Sequence, residues 1–389
     1  MPFKVAIATN TIPDYRYIVF RDLIKDERYR FRFFVSLPKR LSCARAQAEF
    51  PLYYTIGGNL RFSTKHSGSG TVQDERLPIP LLLWLDLMCF WPKIIVSGDL
   101  GTRSLISWAT ARLIGARFVI WSEEIGPSAA GRSRLQLRLR QFLARRADAF
   151  LAWGRPAEDY LGSLRVEKKR IFRCAQAIDH SYWQERAEVL ERDQQRKILN
   201  LEGTVFLLVG RLVDRKGFRS FLEAWSRAGS ESAPNSIAVI VGSGEQGASL
   251  REYAHSKQLC NVRFVDALSP DELSRYYAAA DIFVFPSLED VWGLVVNEAL
   301  CFGLPVLGSR FAGSTQGLLR GSRLGVEFDP TDIESFAAHL TALRRAPPVI
   351  DRAEGHRVIE EVTFEYSRKV IKDLLDVVGR QNKAGTFTR

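Results

Sequence analysis

The chain has 389 residues, 46% apolar and 25% charged, with a formal net charge of +11. That length allows two to three domains with full hydrophobic cores, and the composition excludes a disordered, fibrous or disulfide-stapled chain. The five cysteines (Cys43, Cys89, Cys174, Cys260 and Cys301) are odd in number and include no C-x-x-C pair, so reduced thiols in a cytoplasmic setting are expected.

In chain order, Met1-Pro-Phe-Lys leads directly into the apolar run Val5-Ala-Ile-Ala-Thr9, a predicted strand, and no signal peptide is expected. Tyr17 to Lys25 reads as a helix and Phe31-Arg-Phe-Phe-Val-Ser36 as a second strand. Gly57-Gly58 and Ser67-Gly-Ser-Gly-Thr71 mark a polar loop, and no acceptor pattern is readable across 40–75. Residues 77–91 are the most apolar stretch. With two prolines and Asp86 they are too short to cross a bilayer, and they predict a buried helix or, alternatively, an interfacial loop. Strands follow at Lys93-Ile-Ile-Val-Ser-Gly98, Arg117-Phe-Val-Ile-Trp121 and Ala149-Phe-Leu-Ala-Trp153, with helices near 102–114 and 133–146.

The charge is uneven. Residues 1–180 hold 29 Lys and Arg against 16 Asp and Glu, whereas the remainder holds 26 against 28. The positive excess peaks between Arg132 and Arg146, where Leu135, Leu139, Phe142 and Leu143 form a stripe at helical spacing flanked by Arg138 and Arg140. Such a helix either lies on an anionic membrane or packs its stripe on its own domain and leaves the arginines solvated. No RNP aromatic pair or zinc-finger spacing is present, so nucleic acid is not an expected partner.

Arg170-Ile-Phe-Arg-Cys174 followed by Ile178-Asp179 reads as the exit from the first domain, 1–180, and residues 181–200 as a helical linker. Further strands are predicted at 204–209, 237–241, 262–265, 282–285, 305–307 and 325–328, within a second domain, 201–363. A last helical stretch covers 364–380, and 381–389 reads as a disordered tail. Strands separated by helical patterns predict βαβ units, parallel sheets and the α/β class, as two doubly wound Rossmann-like domains.

Two segments carry chemistry. Val205-Phe-Leu-Leu-Val-Gly210 is an apolar strand closing on Gly210, followed by Arg211-Leu-Val-Asp-Arg-Lys216-Gly217-Phe218 and a helix. Arg211 at the strand end and Lys216 at the helix start lie on the edge where open α/β sheets bind ligands. A planar fork and a mobile point charge suit a diphosphate. Further on, the strand from Asp281 runs into Glu289-Asp290-Val-Trp-Gly293-Leu294-Val295, then a helix bearing Glu298 in its second turn. The open N–H groups and the dipole of a helix start attract a phosphate. Carboxylates at 290 and 298 are placed to accept from hydroxyls on either side of it. A sugar nucleotide has that layout.

Gly210-Arg211-Leu-Val-Asp-Arg-Lys216-Gly217 and Asp290-Val-Trp-Gly-Leu-Val-Val-Asn-Glu298-Ala299-Leu-Cys-Phe-Gly303-Leu-Pro305-Val306 together resemble the retaining glycosyltransferase family 4 (group 1) enzymes of the GT-B fold. The resemblance is strong over about 200–310 and looser elsewhere. It departs at Asp290, where most members have Glu, and Glu289 next door is an alternative for that contact. It implies two domains facing each other across a cleft, a donor-binding second domain, and a last helix crossing back to an acceptor-side first domain. It assigns Arg211 and Lys216 to the diphosphate, Asp290 to the transferred sugar and Glu298 to the ribose. The loop of Gly242 and Gly244 then lies near the donor, with the base near Phe264, Ala267 and Leu268.

On the first domain, Trp121-Ser-Glu123-Glu124-Ile-Gly126-Pro127 is expected to face the same cleft. Glu123, or alternatively Glu124, is the candidate acid there, where many members carry a His. Asn10, Tyr15 and Arg16, after the first strand, are acceptor-side candidates. No Asp-x-Asp or His/Cys cluster occurs, and no metal or other cofactor is expected. The Rossmann glycine fingerprint is absent, which disfavours a nicotinamide enzyme. The expected reaction is anomer-retaining transfer to a glycan or lipid-linked acceptor, at the inner face of the membrane if the basic domain is peripheral. The alternatives are a nucleotide-sugar epimerase, a soluble small-molecule transferase on the same fold, or a non-catalytic scaffold.

Overall fold

The computed structural model describes residues 2–36, 44–56, 58–65, 72–126, 133–229, 235–360 and 362–380. The Ser67-Gly-Ser-Gly-Thr71 loop, Pro127, Arg132 and the 381–389 tail lie outside those residues, as does the Tyr15 side chain. Two compact units share the chain. Met1–Lys65, Val72–Gln176 and Phe364–Arg389 belong to the first and Ala177–Thr363 to the second.

The first unit begins with β1 (Phe3–Thr9), α1 (Asp14–Leu23), β2 (Tyr29–Val35), α2 (Ala44–Glu49) and β3 (Leu52–Tyr54). Next come β4 (Gly58–Lys65), β5 (Val72–Ile79), α3 (Leu83–Phe90), β6 (Ile94–Gly98) and α4 (Thr102–Ile114). It continues with β7 (Arg117–Ser122), α5 (Arg134–Arg146), β8 (Ala149–Trp153), α6 (Arg155–Ser163) and β9 (Ile171–Cys174). Among the described residues these form a seven-stranded parallel sheet in the order β3-β2-β1-β6-β7-β8-β9. Its central strands are apolar runs because helices cover both faces, and Val5 to Ala8 are fully buried. The strand order reverses between β1 and β6, which opens a crevice at their carboxyl ends.

One expectation is corrected here. The stretch around residue 60 is not all loop, because β4 and β5 pair antiparallel with Leu60 opposite Leu77. Their alternating polar sequences, joined by glycines and serines, hide the strand period. The 77–91 stretch supplies the end of β5 and then α3, which buries Leu83, Leu87 and Phe90 and leaves Trp84, Leu85 and Trp91 exposed.

The second unit opens with α7 (His180–Val189) and α8 (Arg192–Leu199), then β10 (Thr204–Val209), α9 (Phe218–Arg227), β11 (Ser236–Val241) and α10 (Gly247–Ser256). It continues with β12 (Val262–Val265), α11 (Pro270–Ala279), β13 (Ile282–Phe285), α12 (Leu294–Cys301), β14 (Val306–Ser309) and β15 (Gly325–Phe328). Helices α13 (Ile333–Arg345) and α14 (Arg352–Ile359) close it. Six parallel strands run β12-β11-β10-β13-β14-β15, so the order reverses between β10 and β13. Under the sheet, Trp225 packs edge-on to Phe206 (5.1 Å between ring centroids) and against Phe221 (5.3 Å). Burying each such side chain contributes about 1.5–3 kcal/mol.

Residues 181–200, expected as a linker, are instead part of the second unit. The Asp179 side chain caps α7 by accepting from the Tyr182 N–H at 3.2 Å. On α8, Arg192 and Arg196 both pair with Asp281, whose carboxylate also accepts the Val205 N–H at 2.8 Å. These distant partners turn a polar-looking segment into a clamp on the start of β10.

The chain ends its described part in α15 (Phe364–Arg380), which packs on the first unit. Ile371, Leu374, Leu375 and Val378 are buried along one stripe. Ser367 is doubly bonded to the backbone of Ala175, accepting from its N–H (3.2 Å) and donating to its carbonyl (3.1 Å).

Candidate functional site

In the second unit the two sequence motifs converge at the point where strand order reverses. Gly210 and Arg211 leave β10, and residues 214–216 make one tight turn before α9. The carbonyl of Arg215 accepts from the Leu288 N–H (2.8 Å) and the Ser287 hydroxyl (3.1 Å), sewing this turn to the loop after β13. The Lys216 ammonium pairs with the Asp290 carboxylate and lies 5.4 Å from the centre of the Phe285 ring. Both side chains of the pair are largely buried, at 15% and 13% exposure. Arg211 is exposed and makes no side-chain hydrogen bond or ion pair among the described residues.

Asp290 is fixed through its backbone, donating to the Phe311 carbonyl (3.2 Å) and accepting from the Gly313 N–H (3.0 Å). It does not cap α12, because Gly293 holds the N-cap position. No side chain caps that helix, so the N–H groups of Leu294 and Val295 are available to an anion, whereas that of Val296 donates to the Gly293 carbonyl at 3.0 Å. Gly293 has φ 98°, and a Cβ there would fall 2.4 Å from the Phe285 ring. Only glycine lets the chain turn that sharply into the helix. Buried Trp292 anchors the turn by donating to Asn297 Oδ1 at 2.9 Å.

Glycines also bring the β11 loop alongside. At Gly242 (φ 150°) a Cβ would sit 1.9 Å from the Gly210 carbonyl oxygen, so a bare Cα is required. Gly244 follows, and the Leu212 N–H donates to the Ser243 carbonyl at 3.0 Å. The Ser243 hydroxyl accepts the Ala267 N–H at 3.2 Å, which draws in the loop of Ala267 and Leu268. Phe264 packs on the core, and the Arg251 guanidinium lies 5.0 Å from its ring centre. Glu289 is half-buried beside Asp290, its N–H directed to the Arg215 carbonyl at 3.3 Å.

Glu298 lies in the second turn of α12 and accepts from the Tyr277 hydroxyl at 2.8 Å. A partial opening to solvent remains, yet the dense protein round the carboxyl withholds water and lifts its pKa to about 7, against the pull of the Tyr277 hydrogen bond. Sequence reading missed Tyr277, which sits among aromatic and alanine residues on another helix with no local sign of a polar duty.

In the first unit the described candidate side chains gather at the carboxyl edge of the sheet, where Asn10, Glu123 and Glu124 each have an arginine partner. Arg16 pairs with Glu123, stacks over the Trp121 ring at 4.4 Å, and shares Glu123 with the Trp121 indole N–H (3.0 Å). Glu124 pairs with Arg140, which also donates to the Tyr160 hydroxyl at 2.9 Å. Asn10 accepts from Arg103, whose guanidinium also donates to the Gly98 carbonyl (3.0 Å) and reaches Asp99 (3.3 Å). Neither Glu123 nor Glu124 is thus a bare acid. Arg103 and Arg140 were not singled out as partners because they lie in helices remote from the acids and amide they hold.

Comparison with known proteins places this architecture. Residues 191–354 match the sequence family described as Glycosyl transferases group 1. That stretch is similar to a group 1 glycosyl transferase domain. LpsE, the lipopolysaccharide core biosynthesis glycosyltransferase of Rhizobium meliloti, is 30% identical over 175 residues, covering 44% of this chain and 48% of LpsE. The D-inositol 3-phosphate glycosyltransferase of Salinispora tropica is 30% identical over 204 residues, covering 50% of this chain and 41% of that protein. The chain spans about half the length of the curated relatives it matches.

Among solved structures, HepE from Anabaena in complex with UDP superposes with a TM-score of 0.73 at 15% identity, over 97% of this chain and all of that one. The lipopolysaccharide outer core galactosyltransferase WaaB gives 0.70 at 14% identity, over 96% and 99%. The fold is GT-B. Every donor-side candidate read from the sequence lies within the matched stretch, 191–354.

Proposed function

We propose that the chain moves a sugar from a nucleoside-diphosphate sugar to a hydroxyl acceptor, with retention at the anomeric carbon. The observation carrying this is the uncapped α12 N-terminus beside the Lys216–Asp290 pair, with Arg211 on one side and Glu298 beyond it. Cations and helix N–H groups stabilise charge on the departing diphosphate, so the reaction is proposed to need no metal. Asp290 takes the transferred sugar and Glu298 the ribose. The acceptor oxygen bonds the anomeric carbon from the face the diphosphate leaves, the carbon–oxygen bond to the diphosphate breaks, and the hydroxyl proton passes to the departing phosphate. Positioning does the work that a protein nucleophile does elsewhere.

A relative of lipopolysaccharide core biosynthesis supports a glycan or lipid-linked acceptor, whereas the D-inositol 3-phosphate glycosyltransferase supports the alternative of a small-molecule acceptor. The neighbour holding UDP makes uracil the first base to test. Thermal shift against UDP-, GDP-, ADP- and dTDP-sugars is expected to single out one nucleotide, raising apparent stability by about 2.7 kcal/mol at a hundred times its Kd. No shift with any of them would remove the transferase reading and favour a non-catalytic scaffold.

Peripheral membrane contact is part of the proposal. No described helix is long and apolar enough to cross a membrane. On α5, Leu139, Phe142 and Leu143 pack on the core, whereas Leu135 is 76% exposed with Arg134 and Arg138 beside it. Flotation with vesicles containing anionic lipid is expected to fall when Arg134 and Arg138 are both changed to Glu. Unchanged flotation would clear α5 of that duty.

A further inference from the structure

We propose that Tyr277 is a positioning residue for donor recognition, its hydroxyl holding the Glu298 carboxylate ready for the ribose diol. This rests on the assignment of Glu298 to the ribose made above.

Tyr277 is fully buried on α11, stacked on Phe302 (5.5 Å between centroids), edge-on to Trp183 (5.7 Å) and tilted against Phe283 (5.8 Å). Three rings from three different segments leave the phenol one orientation. Its hydroxyl donates to Glu298 Oε2 at 2.8 Å, and the next acceptor, the Val295 carbonyl, is 3.4 Å away. Glu298 Oε1 takes no hydrogen bond among the described residues and is left to receive a ligand hydroxyl. A glutamate has three side-chain torsions to fix, and a pre-oriented acceptor spares a ligand that ordering cost.

Other groups round the carboxylate have duties of their own. Cys301, on the same helix, is a buried thiol pushed far toward its neutral form by that burial. Asp179 and His180 start α7, where Asp179 serves as the cap, and Arg186 further along pairs with Asp271. Of the α14 groups, Glu354 pairs with Arg357, and Arg352 and His356 are the remaining titratable side chains. The Tyr277 hydrogen bond favours the charged form of Glu298, so its loss raises the pKa from about 7.

The test is UDP affinity by calorimetry from pH 6 to 9 for wild type, Tyr277→Phe, Glu298→Ala and the double variant. Glu298→Ala is expected to weaken binding and to report the diphosphate's own titration. Tyr277→Phe, which keeps the ring packing, is expected to raise the Kd about tenfold at pH 7 and move the midpoint of the remaining pH dependence upward. In the Glu298→Ala background the second change is expected to add nothing. An unchanged Kd and midpoint in Tyr277→Phe, with Glu298→Ala still weakened, overturns the inference and leaves the function standing. A Tyr277→Phe loss that persists undiminished in the Glu298→Ala background also overturns it, because packing damage alone behaves that way. Wild-type affinity in Glu298→Ala overturns the ribose assignment itself.

Discussion

Lys216→Ala is expected to lower kcat/KM for the sugar-nucleotide reaction by about 10²–10³, the usual loss when one preorganised charge stabiliser is removed. Two effects of the same sign combine. The diphosphate loses its ammonium partner, and Asp290 loses its own. Without Lys216 that carboxylate keeps only a weak contact from the Trp292 N–H at 3.4 Å, and it faces an incoming dianion. Arg211 holds its own place at the end of β10 in the proposed site and does not fill that of Lys216. The double variant Lys216→Ala/Asp290→Asn separates the two effects. It is expected to recover part of the UDP affinity by removing the repulsion, while turnover stays low because nothing replaces the cation. The checks are UDP release from the cognate sugar nucleotide and UDP calorimetry. Lys216→Ala within threefold of wild type in both would refute the diphosphate assignment.

The second unit was legible in the sequence, for a physical reason. Strands covered on both faces appear as unbroken apolar runs, and the glycines and charges at their ends sit within a few residues of them. Thus Gly210-Arg211 and Gly293-Leu294 could be placed at strand and helix ends before any coordinates. Pairings across the chain were not legible. Lys216 and Asp290 are 74 residues apart, Tyr277 and Glu298 21, and Arg16 and Glu123 107. A string of residues names the candidates at such a site without telling which of them neutralise each other. Glu123 and Glu124 show the consequence, since each reads as a loop acid and each is held by an arginine from another element. The clamp of α8 on Asp281 escaped notice in the same way, because a segment rich in Arg, Gln and Glu resembles a solvated connector until its partner is known.

Arg140→Leu is expected to destabilise the first unit by about 3–5 kcal/mol, the cost of leaving one member of a buried ion pair uncompensated. Arg140 and Glu124 have side-chain exposures of 6% and 9%, and the Tyr160 hydroxyl completes the triad. Although Arg140 belongs to the most basic stretch of the chain, it faces inward. Arg138, two residues earlier, is exposed, and Arg138→Leu is expected to change stability by less than about 0.5 kcal/mol. Converting both members, Glu124→Leu with Arg140→Leu, removes the orphaned charge and is expected to restore most of the loss. Thermal unfolding of the three variants beside wild type decides the matter, and equal midpoints for Arg140→Leu and Arg138→Leu would refute the buried triad. The stake extends to the sheet edge, because the loop that Glu124 anchors also carries Glu123, against which Arg16 and Trp121 are arranged. Acceptor turnover by Arg140→Leu is therefore expected to fall even well below its unfolding temperature, while UDP affinity, a property of the second unit, stays as in wild type.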